Sequence, residues 1–223
     1  MKPKLVEEAK KRPLLQVALD FVNFDDALKV ASKVVAAGAH VIEVGTPLLK
    51  IYGIKAVDEI KNIAKNNLIV ADLKTADATK LEIPPYIGKG VDGVTIMGIV
   101  DDEVIEEAIS ICREAKVALI ADLMYVQNPV NRAFRLADLG VDVVALHVGV
   151  DVQKKRGVTA KELLREISEV SASDIVVMVA GGIKPYEVGV FTSCGARIVV
   201  IGSAITRSYD PYQATIEALN NLV

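Results

Sequence analysis

The 223-residue sequence predicts an α/β protein with one domain, a (β/α)8 or TIM barrel. The first observation behind this prediction is a series of eight short apolar runs, with an amphipathic segment between each run and the next. The second is a glycine-led pattern that recurs about every 50 residues, roughly the length of two strand–helix units. An open doubly wound sheet is the alternative, but it would usually have a glycine-rich turn after the first strand, and residues 20–23 are not one.

The predicted strands are almost continuously hydrophobic, which is typical of parallel strands that are buried on both faces. They cover residues 14–20, 40–46, 68–74, 93–98, 117–124, 143–149, 175–182 and 197–203. The intervening segments 24–37 and 101–115 each place their apolar residues on one stripe, as a surface helix does. The repeated glycines, each of which ends a helix shortly before a strand, are Gly38, Gly90, Gly140 and Gly195.

Residues 1–13 precede the first predicted strand and are rich in charge. We interpret them as a charged N-terminal extension, either a short helix or a disordered tail. The catalytic barrel is predicted to cover residues 14–223.

The composition excludes several classes of protein. Lys and Arg are spread along a chain of net charge −3, so no nucleic-acid-binding surface is indicated. The longest apolar runs are of strand length, far short of the roughly 18–20 residues of a membrane span. The N-terminus lacks the apolar stretch of a secretory signal. Two cysteines without metal-site spacing indicate a reducing cytoplasm.

Ionisable residues lie at or near the ends of five predicted strands. In a TIM barrel the C-terminal ends of the strands form the active-site face. A single charged residue there could be part of a structural salt bridge, but a set from five strands indicates an active site. The set consists of Asp20, Glu43, Asp72, Lys74, Asp122 and His147. Asp122 is assigned no specific role, since it could equally be structural.

Asp72 and Lys74 are two residues apart on a strand, so both side chains are predicted to project to the same side. Neighbouring acids keep Lys74 cationic, and a positioned ammonium can stabilise a developing enolate oxygen. Glu43 and Asp72 lie on adjacent strands. Two converging carboxylates predict a Mg²⁺ site that is completed by water and substrate oxygens.

Glycines follow the seventh and eighth strands, where barrels commonly bind phosphate through backbone N–H groups. The candidate phosphate-binding residues are Gly181, Gly182, Gly202 and Ser203. The substrate is therefore predicted to be a small phosphorylated molecule. Arg207 could add a charge-assisted contact or lie in solvent, and the Gly181-Gly182 pair could be only a tight turn.

The spacing of Asp72, Lys74 and Asp77 resembles the signature of the orotidine 5′-phosphate decarboxylase superfamily. The resemblance extends from about residue 14 to the C-terminus. The hexulose-phosphate synthase branch is the most similar, and the motifs that carry this likeness are QVALD (16–20), IEVGTPL (42–48), ADLKTADA (71–78), ADL (121–123), HVGVD (147–151), VAGGIK (179–184) and IGSAIT (201–206).

Two positions separate this branch from its relatives. Glu43 replaces the lysine of the orotidine-phosphate decarboxylases, and Val150 replaces an arginine of the ketogulonate-phosphate decarboxylases. Some relatives have a phosphate-binding arginine directly after the glycine of strand eight. Ser203 stands there in this chain, which leaves open the side-chain part of the phosphate contact.

The resemblance implies a reversible, Mg²⁺-dependent aldol addition of formaldehyde to ribulose 5-phosphate through a stabilised enediolate. His147 is the candidate general base, because histidine is the side chain whose ordinary pKa lies nearest neutrality, although strand histidines are often only core residues. Lys74 would offset the negative charge. Asp20 would contact the substrate hydroxyls or Lys74.

Asp77 falls just past the third strand and has two interpretations. It could cap the next helix. The family likeness instead has it reach the active site of a second subunit, which implies a homodimer with shared sites. Two other functions stay open for the chain as a whole: a ketogulonate-phosphate decarboxylase, and a non-catalytic phosphosugar-binding barrel. The complete charge set speaks against the latter.

Overall fold

This computed structural model describes residues 2–222 and confirms the predicted single-domain (β/α)8 barrel. All eight strands are parallel, and each pairs with its neighbours in chain order until the last closes on the first. The strands are β1 (Leu14–Leu19), β2 (Val41–Val44), β3 (Leu68–Thr75), β4 (Gly93–Met97), β5 (Ala118–Asp122), β6 (Val143–His147), β7 (Val176–Ala180) and β8 (Ile198–Ile201). Their almost complete burial explains their continuous hydrophobicity.

Helices follow the strands around the outside of the barrel, and short ones also lie in the loops. They are α1 (Lys4–Lys11), α2 (Phe24–Ala36), α3 (Thr46–Tyr52), α4 (Ile54–Ile63), α5 (Thr79–Glu82), α6 (Pro84–Ile87), α7 (Asp102–Ala115), α8 (Pro129–Leu139), α9 (Val150–Arg156), α10 (Leu164–Ser171), α11 (Val188–Ser193), α12 (Ser203–Thr206) and α13 (Pro211–Asn220). Within residues 2–222, no helix has the length and apolar character needed to cross a membrane.

Helix α1, which belongs to the charged N-terminal segment, covers the bottom of the barrel. Leu5, Val6 and Ala9 are buried, and they pack among residues from the N-terminal ends of the strands. The side chain of Leu5 comes close to Gly93, the first residue of β4. Arg197 donates from Nε to the carbonyl of Ala9 at 2.7 Å, which ties the end of the helix to the start of β8. The helix therefore completes the core from below.

The glycine-led repeat also has a role at the bottom of the barrel. In three of the four copies, the side chain two residues after the glycine accepts a hydrogen bond from a backbone N–H of the preceding strand. These bonds are Leu15 to His40 Nδ1 at 3.0 Å, Ile69 to Asp92 at 2.9 Å and Leu119 to Asp142 at 3.1 Å. The fourth copy has Arg197, which has no acceptor and binds α1 instead. Apolar packing and these side-chain hydrogen bonds therefore close the bottom of the barrel. The candidate active-site residues lie at the opposite end.

Truncation of Leu5 tests the contribution of α1 to the core. Leu5→Ala removes a fully buried side chain, so we expect the free energy of unfolding to fall by about 2–5 kcal/mol in urea denaturation. Lys4→Ala, on the exposed face of the same helix, should change it by less than about 0.5 kcal/mol. Equal effects of the two substitutions would contradict a core role for this helix.

The pH dependence of stability tests the cap made by His40. Burial, aided by the charge of Arg12, lowers the pKa of His40 from its ordinary value of 6.5 to about 4. The unfolded chain therefore binds this proton more readily than the native state, and stability is lost as the pH falls from 6.5 towards 4. His40→Asn keeps an acceptor but does not titrate. We expect its free energy of unfolding to fall less over this interval; parallel curves for the two proteins would refute the assignment.

Candidate active site

The carboxylate of Asp72 is the centre of a hydrogen-bonded network at the upper end of the barrel. It is only 5% exposed and accepts at both oxygens. Lys74 Nζ lies 2.8 Å from Oδ1 and 2.6 Å from Oδ2. The hydroxyl of Thr95 donates to Oδ1 at 2.8 Å, and that of Thr46 lies 2.6 Å from Oδ2. The side chain is thereby held in one orientation.

The ammonium of Lys74 joins two strands of the network. Its second carboxylate partner is Asp122 at the end of β5, whose Oδ2 is 3.2 Å from Nζ. Burial by itself would lower the pKa of Lys74, but Asp72, Asp122 and Glu43 outweigh it and raise the pKa well above its ordinary value. The lysine therefore stays protonated, as the sequence predicts.

Asp122 and His147 form the next part of the network. His147 Nδ1 is 2.9 Å from Oδ2 of Asp122, whose Oδ1 accepts the backbone N–H of Met124 at 2.9 Å. Burial would raise the pKa of Asp122, but His147 and Lys74 prevail and hold it at about 2. Because this ionised carboxylate can only accept, the hydrogen must be on Nδ1 of His147. Neutral His147 therefore presents Nε2 as an acceptor, and its side chain is partly exposed, at 21%.

The role of Asp122 is not predicted from the sequence alone. It connects the candidate electrostatic group, Lys74, with the candidate base, His147. The available signal was its position at the end of a strand adjacent to the strand that ends in His147.

Glu43 and Asp20 complete the acidic half of the rim. Glu43 is buried, and Gln16 donates from Nε2 to its Oε2. Burial, followed by repulsion from Asp72 and Asp20, raises the pKa of Glu43 well above its ordinary value. Asp20 is open to solvent at the mouth of the barrel, yet partial desolvation and Asp72 raise its pKa too. A Cβ at Gly45 would clash with Oδ1 of Asp20 and lie 2.8 Å from the carbonyl oxygen of Leu19, so the position beside this carboxylate favours glycine.

The charge balance of the rim fits a divalent cation. Four carboxylates, those of Asp20, Glu43, Asp72 and Asp122, act on the ammonium of Lys74 or on one another, and Arg207 also acts on Asp20. Burial, and after it repulsion from the neighbouring carboxylate of Asp72, raises the pKa values of Glu43 and Asp20. Among residues 2–222, no three His, Cys, Asp or Glu side chains are grouped closely enough to enclose a metal ion. Mg²⁺ uses few carboxylates and keeps several water or substrate oxygens, and its binding by Glu43 and Asp72 stays a prediction.

The predicted phosphate-binding residues lie where two strands end at the rim. Gly181 and Gly182 follow β7 with φ angles of 123° and 70°. A Cβ at Gly181 would lie 2.6 Å from the carbonyl oxygen of Val148, so this turn requires a glycine. Gly202 lies between β8 and α12, and Ser203 is the first residue of α12. Arg207 is exposed just beyond α12, and its charge acts on Asp20. Phosphate binding by these residues stays a prediction.

Asp77 lies apart from the network. It is exposed in the loop between β3 and α5, and Ala78 rather than Asp77 occupies the N-cap position of that helix. No side chain caps this helix N-terminus by a hydrogen bond. Contact with a second subunit stays a prediction.

Comparison with known proteins identifies the family of the chain. The family model "Orotidine 5'-phosphate decarboxylase / HUMPS family" matches residues 13–218. The 3-hexulose-6-phosphate synthase of Staphylococcus epidermidis is 34% identical over 200 residues, which cover 90% of this chain and 94% of the relative. A protein of the same name from Staphylococcus aureus matches with the same identity and coverage.

Solved structures give the same result. The 3-hexulose-6-phosphate synthase from Salmonella typhimurium has a TM-score of 0.88 at 31% identity and covers 94% of this chain and 98% of its own. A KGPDC from Streptococcus mutans has a TM-score of 0.87 and covers 94% of this chain and 97% of its own, but at 23% identity this shows the fold alone. The chain therefore belongs to the orotidine 5′-phosphate decarboxylase / HUMPS family, within which its synthase relatives confirm the predicted branch.

Proposed function

We propose that the enzyme catalyses the reversible addition of formaldehyde to D-ribulose 5-phosphate, giving D-arabino-hex-3-ulose 6-phosphate. The observation that carries this proposal is the connected set of Asp72, Lys74, Asp122 and His147, which joins a fixed cation to an oriented base. The names of the relatives supply the substrate class. A fold of this kind hosts many reactions, so the site has to support the choice.

The reaction needs a base, and the hydrogen bond of His147 to Asp122 prepares one. Nε2 of neutral His147 takes a proton from C1 of ribulose 5-phosphate, which leaves an enediolate. C1 then attacks the carbon of formaldehyde and forms the new carbon–carbon bond. The protonated His147 returns its proton to the former formaldehyde oxygen, and Asp122 stabilises the transient imidazolium by its charge.

The negative charge that develops on the substrate oxygens needs a cation that is already in place. Lys74 supplies it, because its ammonium is held by Asp72 and Asp122 and need not reorganise during the reaction. Glu43 and Asp72 would hold Mg²⁺, which supplies Lewis-acid stabilisation when bound. Contacts from Lys74, Thr95 and Thr46 orient the carboxylate of Asp72. Asp20, at the open mouth, contacts the substrate hydroxyls.

The phosphate of the substrate binds at the far side of the rim in this proposal. The backbone N–H groups of Gly181, Gly182, Gly202 and Ser203 line its site, and Arg207 adds a positive charge. Val150 is aliphatic and 57% exposed, so the chain has no cation at the position that distinguishes the ketogulonate-phosphate decarboxylases.

We further propose a homodimer in which Asp77 enters the site of the second copy. Asp77 is exposed, and large apolar side chains are exposed on the neighbouring loops and helix of the same part of the rim. These are Leu81, Ile99 and Tyr125, at 77%, 57% and 59% exposure. Contact with a second copy would remove this apolar surface from water. Both cysteines are free thiols, which supports a cytoplasmic location.

Formaldehyde consumption in the presence of ribulose 5-phosphate tests the reaction and the metal site together. We expect consumption with Mg²⁺ and none with EDTA. Glu43→Gln and Asp72→Asn should each lower kcat/KM by about 100-fold or more, because each removes a charged ligand. Glu7→Gln, an exposed acid on α1 at the opposite end of the barrel, should match the wild type.

The same samples separate the other candidate functions. Release of CO₂ from 3-keto-L-gulonate 6-phosphate without formaldehyde consumption would assign the chain to the decarboxylases. Inactivity in both assays, together with no Mg²⁺ binding in calorimetry, would leave a non-catalytic phosphosugar-binding barrel.

Mixing of inactive variants tests the shared sites. Asp77→Asn and His147→Ala should each be inactive as homodimers. If Asp77 acts in the partner's site, subunit exchange creates heterodimers with one intact site, and activity should return to about one quarter of the wild type. Glu43→Gln mixed with His147→Ala should restore none, since both residues act within one subunit. No recovery in the first mixture, despite verified exchange of subunits, would refute the shared site.

A further inference from the structure

The backbone of Lys74 departs from regular strand geometry. Its φ angle of 48° lies in the left-handed region, which a residue with a side chain adopts at a cost. The pairing of β3 with β4 shifts here: Ala71 pairs with Val94 and Thr75 pairs with Ile96. The strand β3 thus carries a bulge that contains both Asp72 and Lys74. Simple alternation along a strand, on which the predicted pairing of these side chains rests, does not describe this segment.

Thr95 is the residue of β4 that lies opposite the bulge. It falls between the paired residues Val94 and Ile96, and its side chain is buried, at 6% exposure. Its hydroxyl accepts the backbone N–H of Lys74 at 2.8 Å and lies 2.8 Å from Oδ1 of Asp72. Because the N–H can only donate and the carboxylate accepts, the hydroxyl hydrogen points to Asp72. One side chain therefore satisfies the displaced backbone of Lys74 and orients the Asp72 carboxylate.

Thr95 lies on the strand that the side chain of Lys74 crosses. The ammonium extends from β3 to Asp122 on β5, and β4 lies between these two strands. A strained backbone persists only where surrounding contacts hold it, and such strain is common at active sites. Here the Thr95 hydroxyl is the contact that replaces the lost pairing of the Lys74 N–H.

We propose that Thr95 is a positioning residue of this active site: its hydroxyl holds the β3 bulge and thereby sets the Lys74 ammonium between Asp72 and Asp122. The proposal deepens the proposed function and rests on it for its kinetic consequence. The geometric consequence does not depend on the identity of the reaction.

Two substitutions of Thr95 and one matched control test this role. Thr95→Val keeps the branched shape and removes the hydroxyl, and Thr95→Ser keeps the hydroxyl. The control is Thr75→Val, because Thr75 is buried at the end of the neighbouring strand β3 and its hydroxyl has no hydrogen-bond partner in the described part of the chain. Thermal unfolding by circular dichroism shows whether each variant is folded at the assay temperature.

In formaldehyde addition to ribulose 5-phosphate, we expect kcat of Thr95→Val to fall by about 10- to 100-fold with a smaller change in KM. Thr95→Ser should stay within about threefold of the wild type, and Thr75→Val should match it. Wild-type kcat in Thr95→Val, equal loss in Thr95→Ser, or equal loss in Thr75→Val would each overturn the proposal.

Crystal structures of the wild type and Thr95→Val provide a second test that is independent of activity. We expect the distance from Lys74 Nζ to Asp122 Oδ2 to increase from 3.2 Å to beyond about 4 Å in the variant. An unchanged bulge and ammonium position would overturn the proposal. If the wild type consumes no formaldehyde, the proposed reaction fails, and this displacement alone decides the role of Thr95.

Discussion

The ion pair between Lys74 and Asp72, extended to Asp122, is the interaction on which the rest of the site depends. Buried charges are costly unless they are paired and hydrogen-bonded, and this ammonium lies 2.6 Å from one acid and 3.2 Å from the other. Once it is fixed, Asp122 is fixed as well, and Asp122 in turn sets the hydrogen of His147 on Nδ1. The bulge of β3 contains both Asp72 and Lys74, and Thr95 contacts both residues there.

The two ends of the barrel differ in how their polar and charged groups are paired. At the bottom, α1 and the side-chain caps of the repeat satisfy the strand ends, and His40 is kept neutral there because burial lowers its pKa. At the rim, acids outnumber the ammonium, and the pKa values of Glu43 and Asp20 rise. A bound cation would offset this negative charge.

Several parts of the site could not be predicted because they depend on contacts across strands. Asp122 is one acid among several in the sequence, and its link to His147 follows from the pairing of β5 with β6. Thr95 lies in an ordinary apolar run, and only the register shift opposite it shows what its hydroxyl binds. Gln16 lies within a predicted strand, and the sequence does not show that its amide donates to Glu43 on the next strand. The burial of α1 also could not be predicted, because its apolar residues pack against strand ends that come together only when the barrel closes.

The sequence by itself determined the barrel and the set of rim residues, because both follow from local order. Apolar runs mark the eight strands, the repeated glycines precede every second one, and a parallel barrel brings the ends of the strands to one face. The tertiary structure alone decided which of these side chains bind one another and in what orientation. Hydrogen bonds between neighbouring strands depend on register, and a bulge of the kind at Lys74 changes register without a mark in the local pattern of residues.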